Sequence, residues 1–345
     1  MTCVLASARQ VRLLVLLVLI LTAIAACGGS EPSDDQTPAT QGAPSSVSLR
    51  AGLNDPQDPN IAVLEFLPES VTVARGTKVA WQFKGPEPHS VTLFPPGQTP
   101  PPPGSDPKLF APTPPKEPYD GTTLVNSGLL PQGPTPASPF QVTFDTPGTY
   151  RYHCVIHPLM TGTVTVAEQA GDADPQSQIT ARGDEEVSRW LAEGRAAKKR
   201  LTETPAKRTN NSDGTTSWRV EMGTSTEHTD VLAFAPLATQ IKPADRVVFV
   251  NDSGAPHTAT FAGRQRLPSD PESPKVMKPA PGPSPQRLNP TNYLNTGWLP
   301  PNAPPGAGPP EQARSFTFIV PAAGTYAYVC VLHVPSGMVG TIRAR

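Results

Sequence analysis

The chain repeats itself. The stretch FLPESVTV at 66–73 aligns with FAPLATQI at 234–241, an offset of 168. At the same offset KVAW (78–81) meets RVVF (246–249), and PHSVTLF (88–94) meets PHTATFA (256–262). LVNSGLLP (124–131) pairs with YLNTGWLP (293–300) at 169, and FQVTFDTPGTYRYHC (140–154) pairs with FTFIVPAAGTYAYVC (316–330) at 176. The offset changes only inside Pro-rich stretches, where a longer surface loop costs little. Such a chain has to fold twice into one kind of unit, each of about 120 residues.

That unit is all-β. VSLRA, IAVLEFLP, SVTVA, KVAWQF, SVTLF, FQVTF, TYRYHC and GTVTV are short runs of β-branched and aromatic residues with turn chemistry between them. Forty-six prolines in 345 residues exclude a helical bundle. Seven or eight short strands per copy fit a sandwich or Greek-key barrel. The Pro-rich segments 95–120 and 264–291 read as solvated surface excursions of extended character. Between the copies, GDEEVSRWLAEGRAAKKRL (183–201) is the one helical pattern. Asp184, Glu185 and Glu186 suit its start, Lys198, Lys199 and Arg200 its end, and Val187, Trp190 and Leu191 form an apolar stripe. The expected organisation is a copy at 47–167, a partly helical linker at 168–217, and a copy at 218–345.

The first 26 residues resemble the signal peptide of a bacterial lipoprotein. Arg9 and Arg12 precede the apolar run LLVLLVLILTAIAA, which ends in Ala25-Ala26-Cys27. The run is short for a spanning helix. The resemblance implies cleavage before Cys27, lipidation of Cys27, and a flexible tether over 27–46. The expected location is the bacterial cell envelope, on the extracytoplasmic side of a membrane. A net charge of −1 gives no electrostatic basis for a nucleic-acid partner.

With Cys3 and Cys27 in the N-terminal segment, Cys154 and Cys330 remain, each three residues before a His. Two copies of one motif argue for two separate uses rather than one disulfide. Each copy offers a thiolate, a loop imidazole, a thioether and an upstream imidazole: His89, Cys154, His157 and Met160 in the first, His257, Cys330, His333 and Met338 in the second. Soft-to-borderline donors in a His₂Cys plus Met set suit copper. Here each copy resembles a cupredoxin, the small blue-copper proteins of plastocyanin, amicyanin and pseudoazurin type. Cys-x-x-His-x-x-Met in the first copy is similar to the amicyanin pattern, and Cys-x-x-His-x-x-x-x-Met in the second to that of pseudoazurin. The resemblance implies two tandem Greek-key β-sandwiches. It also implies two type 1 copper ions per chain cycling between Cu(I) and Cu(II), and redox proteins as donor and acceptor. The family often has Asn after the first His, and Ser90 and Thr258 depart from that. The second loop is longer by two residues, Ser336 and Gly337 among them, so the two sites are expected to differ in potential.

Two rivals stand beside a membrane-anchored electron carrier. A copper-buffering lipoprotein would use the same donors. A two-domain oxidoreductase of nitrite reductase type would use His153 for a second copper, but the His it needs five residues after the first ligand is Phe94 here. Strand alternation puts Cys154 and His153 on opposite faces. The six histidines include no His-x-His pair of the kind a trinuclear cluster uses.

Overall fold

The computed structural model describes residues 43–345, apart from 103–104, 131–137, 158, 271–272, 280–283 and 303–310. The expected signal peptide, Cys27 and most of the tether lie outside the described residues. Strands dominate. The first half carries β1 (Ser46–Asn54), β2 (Ile61–Leu67), β3 (Ser70–Val73), β4 (Thr77–Lys84), β5 (Thr92–Leu93), β6 (Val125–Asn126), β7 (Phe140–Phe144), β8 (Gly148–His153) and β9 (Thr161–Val166). A helix α1 (Gln176–Glu203) follows. Then come β10 (Arg208–Asn210), β11 (Thr216–Ser225), β12 (Thr229–Ala235), β13 (Ala238–Ile241), β14 (Arg246–Val250), β15 (Thr260–Phe261), a helical turn α2 (Pro274–Met277), β16 (Gln286–Arg287), β17 (Leu294–Asn295), β18 (Ser315–Ile319), β19 (Gly324–Val329) and β20 (Val339–Ala344).

Each half is a two-sheet sandwich. In the first, β2-β1-β4-β7 packs on β3-β9-β8-β5-β6. In the second, β12-β11-β14-β18-β16 packs on β13-β20-β19-β15-β17. Period-two alternation selects the inward faces: along β4, Thr77, Val79, Trp81 and Phe83 are buried and their neighbours are not. Trp81 meets Tyr152 across the first core with ring centroids 5.1 Å apart, and Phe249 meets Tyr328 at 4.9 Å in the second. Both are edge-on contacts of the kind aromatic quadrupoles favour. A Cβ on Gly162 would lie 2.5 Å from the Tyr152 hydroxyl, and one on Gly340 2.5 Å from that of Tyr328. This close approach explains why Met-x-Gly closes both loops despite their different lengths.

The halves are not beads on a linker. β2 pairs antiparallel with β12 through Ile61–Val231, Ala62–Asp230 and Val63–Thr229, so the two inner sheets form one continuous sheet. Helix α1 lies on this seam and packs on β2, β12, β1 and β11. Ile61, Val63 and Leu67 are buried beneath Leu191, with Val187 and Trp190 beside them. Burying a side chain of this kind is worth about 1.5–3 kcal/mol, against about 0.5–1.5 kcal/mol net for a ladder hydrogen bond. The apolar layer therefore outweighs the short ladder in holding the halves together. A Cβ on Gly194 would come 2.5 Å from Ile61 and 3.3 Å from Thr229, so the helix approaches the seam where only glycine fits.

Two expectations are corrected here. The helix begins at Gln176, seven residues before the expected start, and Asp184, Glu185 and Glu186 lie in its middle. Tertiary burial decides this: Ile179 joins the first core, and Asp174 just ahead of the helix pairs with Arg182 at 2.8 Å and accepts from the Thr72 amide. The Pro-rich segments are also more than solvated excursions. Leu109, Tyr119, Val276 and Leu288 are buried.

His228, which no motif claimed, sits at the seam. Its ring stacks on Trp190 with centroids 3.5 Å apart, and its Nδ1 lies 2.9 Å from the Glu65 carboxyl. Burial, reinforced by Glu69, Glu186 and Glu227, pushes Glu65 up to about 9. Its folded value exceeds the unfolded one. The stability tied to its proton is therefore complete below about pH 4.5 and is lost as pH climbs toward 9. Glu65→Gln, which keeps a neutral partner for His228, should raise the thermal midpoint at pH 8 by about 2 °C per kcal/mol recovered. It should leave the midpoint unchanged at pH 4, as differential scanning calorimetry at the two pH values will show.

Candidate metal centres

The GTYxY strand β8 delivers Cys154 at its end, and β19 delivers Cys330 in the same way. Each loop is closed by its own backbone. The Cys154 amide donates to the Met160 carbonyl at 3.0 Å, and the Cys330 amide to that of Met338 at 3.0 Å. The upstream histidines are fixed by paired backbone bonds: His89 with Leu130 at 2.7 and 2.8 Å, and His257 with Leu299 at 3.2 and 2.8 Å.

These anchors bring together two buried clusters, His89–Cys154–His157 and His257–Cys330–His333, in each of which the donor atoms lie within 4.8 Å of one another. The imidazoles face each other through Nδ1 at 3.1 Å in both. Cys154 Sγ is 3.4 Å from His157 Nδ1, and Cys330 Sγ is 3.3 Å from His333 Nδ1. Both cysteines are free and buried, so no disulfide joins the copies. Met160 and Met338 are buried in the respective cores beside these loops. His153 pairs in register with Thr92, sits 6.1 Å from the Phe94 ring and belongs to neither cluster.

The surroundings repeat almost atom for atom. Ser90 and Thr258, where the family pattern often has Asn, donate backbone N–H groups to the sulfurs at 3.4 and 3.3 Å. Their hydroxyls accept from the amides of Val155 and Val331 at 2.9 Å. The chain continues through Thr92 to Asn126 and through Thr260 to Asn295, each at 2.9 Å. The Asn126 amide donates to Leu109 O, and that of Asn295 to Val276 O, both at 2.7 Å. The Pro-rich segments are thus tied to the ligand loops. A buried polar network of this kind specifies one geometry because every broken link strands a buried polar group.

Sequence reasoning passed over several residues that shape the sites. Gly52 and Gly223 interrupt β1 and β11 at register shifts, with φ of +66° and +82°. A Cβ on Gly52 would overlap the His89 ring, and one on Gly223 would lie 3.0 Å from His257 Nε2. A glycine inside a strand pattern signals this kind of bulge and close approach. Asn126 and Asn295 stood in matching repeat positions but carried no ligand chemistry to draw notice. Glu87 had no signal at all. Its carboxylate, four per cent exposed, lies 3.2 Å from Nε2 of His333 in the other half. Ser336, in the longer loop, donates its hydroxyl to the same carboxylate.

The clusters therefore differ electrically. In the first, burial pushes the Cys154 thiol up, His89 well below its ordinary value and His157 down to about 4, leaving neutral imidazoles. In the second, burial lowers His257 likewise. Burial would also lower His333, but Glu87 and Cys330 outweigh it and hold it well above its ordinary value. Burial would raise Cys330, but His333 outweighs that and holds the thiol below its usual range.

Residues 57–167 match the family described as copper binding proteins, plastocyanin/azurin family. The chain is 31% identical to a plastocyanin of Scenedesmus fuscus over 111 residues, which cover 32% of this chain and 85% of that protein. It is 27% identical to a plastocyanin of Vicia faba over 111 residues, covering 32% and 86%. Among solved structures, auracyanin B is similar over 37% of this chain and 88% of its own, at 23% identity and a TM-score of 0.26. A thiol and two imidazoles gathered at the end of a β-sandwich are what such a family needs, and with this degree of identity the chain belongs to the plastocyanin/azurin family of copper-binding proteins.

Proposed function

We propose that the protein is an extracytoplasmic electron carrier, held to a membrane by a lipid on Cys27, with one type 1 copper site in each half. The single observation that carries this reading is the duplicated, buried His–Cys–His cluster whose donors all come from the chain. The donor set fits the metal. A thiol and two imidazole nitrogens converging on one point would, with the thioether, satisfy a soft-to-borderline ion of copper's preference. His89, Cys154, His157 and Met160 would hold the first ion, and His257, Cys330, His333 and Met338 the second. Bound copper would supply one-electron Cu(II)/Cu(I) chemistry.

What the chain's own residues contribute is rigidity and exclusion. His89, Cys154 and His157 are 3–5% exposed, and His257, Cys330 and His333 are 0–5% exposed, so a reactant has no ready approach to the donors. The N–H groups of Ser90 and Thr258 stabilise negative charge on sulfur, and the hydroxyl–asparagine chains keep the loops from relaxing. Such a site suits moving an electron rather than transforming a substrate, which favours a carrier over an enzyme. Partner redox proteins acting as donor and acceptor belong to the same reading, as does the envelope location suggested by the N-terminal segment.

Metal analysis of the purified chain should find two coppers, with an intense thiolate-to-copper absorption. Cys154→Ser or Cys330→Ser should each halve that absorption, and the double variant should abolish it. Retention of the full band in either single variant, or a copper count well above two, would overturn the reading. Gly52→Ala should act on the first site alone. The added methyl overlaps His89 and sits on a left-handed backbone, so copper should fall toward one per chain and the remaining band should vanish when Cys330→Ser is added.

A further inference from the structure

Glu87 is a buried carboxylate placed between the two sites. It stands two residues before His89 in the first half, yet its oxygens belong to the second. One accepts from the Ser336 hydroxyl, and the other lies 3.2 Å from Nε2 of His333. Both partners are donors, so the geometry is that of an ionised, acceptor-only group. Asn60, also of the first half, donates from Nδ2 to the Ser336 carbonyl at 2.6 Å and to Leu232 O at 3.0 Å. Lys198 of α1 donates to Asn60 Oδ1 at 3.0 Å. The extra length of the second ligand loop is therefore what docks on the first half. The first loop lacks that length, and the position equivalent to Glu87 is Ala255, at the repeat offset of 168. The contact is one-sided.

We propose that Glu87 is a positioning residue that couples the second copper site to the first half and lowers that site's potential. The inference rests on the electron-carrier reading above. His333 faces its cluster through Nδ1, so its Nε2 carries the hydrogen that Glu87 accepts. Accepting that hydrogen fixes the ring's orientation and makes its other nitrogen a stronger electron donor. The anionic partner favours the more positive oxidation state of whatever ion His333 holds. Because Glu87 belongs to the first half, the potential of the second site depends on the halves staying joined at the β2–β12 seam.

The test uses Glu87→Gln in the full chain, in Cys154→Ser and Cys330→Ser backgrounds so that each site is read alone by spectroelectrochemical titration. The substitution should shift the second site's reduced-to-oxidised ratio about tenfold toward the reduced form, ~59 mV upward for a one-electron couple. The first site should move by clearly less. No upward shift of the second site, or an equal shift of both, overturns the inference while leaving the carrier reading standing. Absence of any reversible copper couple in either background overturns the carrier reading itself. A metal-free measurement guards against a variant that fails to fold. In the wild-type apoprotein, nitrogen-edited NMR should show a slowly exchanging Nε2 proton on His333, and Glu87→Ala should lose it. If that proton exchanges freely in the wild type, the bond to Glu87 is not made and the inference falls.

Discussion

The pairing of β2 with β12 governs how everything else in this molecule is arranged. Each strand would otherwise be the exposed edge of its own sheet, with unpaired amides and carbonyls along it. Joining them over Ile61–Val63 and Thr229–Val231 satisfies both edges at once. The ladder is short, and α1 supplies the rest of the adhesion by covering Ile61, Val63 and Leu67 with Leu191 and its neighbours. Ion pairs from the far end of the helix, Arg195 with the buried Asp55 at 2.7 Å and Lys198 with Asp58 at 2.7 Å, fix the turn between β1 and β2. That turn carries Asn60, and through Asn60 the seam reaches the second ligand loop.

Within each half the ligand clusters depend on a second kind of constraint, the economy of buried polar groups. A buried N–H or hydroxyl without a partner costs about 1–3 kcal/mol. The chain from Val155 N–H through Ser90, Thr92 and Asn126 to the carbonyl of Leu109 leaves few loose ends, and its twin runs from Val331 to Val276. Side chains that hold no metal thereby fix the positions of those that could. The Pro-rich segments, whose composition suggests solvated loops, become the outer anchors of this network.

Much of this was legible in the order of residues. The duplicated Cys-x-x-His with its upstream His pointed to the two clusters, because copper's donor preference restricts the chemistry to a few residue types and the repeat supplied every partner twice. Strand positions followed from alternation in KVAWQF and FQVTF, where one sheet face is buried. SVTLF was less faithful: only Thr92 and Leu93 pair as strand, because the Ser90 N–H goes to the Cys154 sulfur and the Val91 N–H to the Ser127 hydroxyl. Gly52 and Gly223 carried a weaker signal, a glycine inside a strand pattern, whose purpose emerges only when the imidazoles above them are placed. The expected helix start falls too late because acidic residues inside the helix mimic a first turn. Burial of Ile179 and the Asp174–Arg182 pair move the true start upstream.

Sequence alone determined what is local or repeated: the β architecture, the doubling and the paired His–Cys–His clusters. The tertiary structure decided how the copies meet, and with it the pairing of Glu87 with His333 and the docking of the longer second loop on the first half. Residues 87 and 333 are separated by most of the chain and share no pattern. Their contact is fixed by the register of two strand edges and by the helix lying across them. Such a register is set by the summed burial of many side chains, a quantity no short stretch of sequence contains.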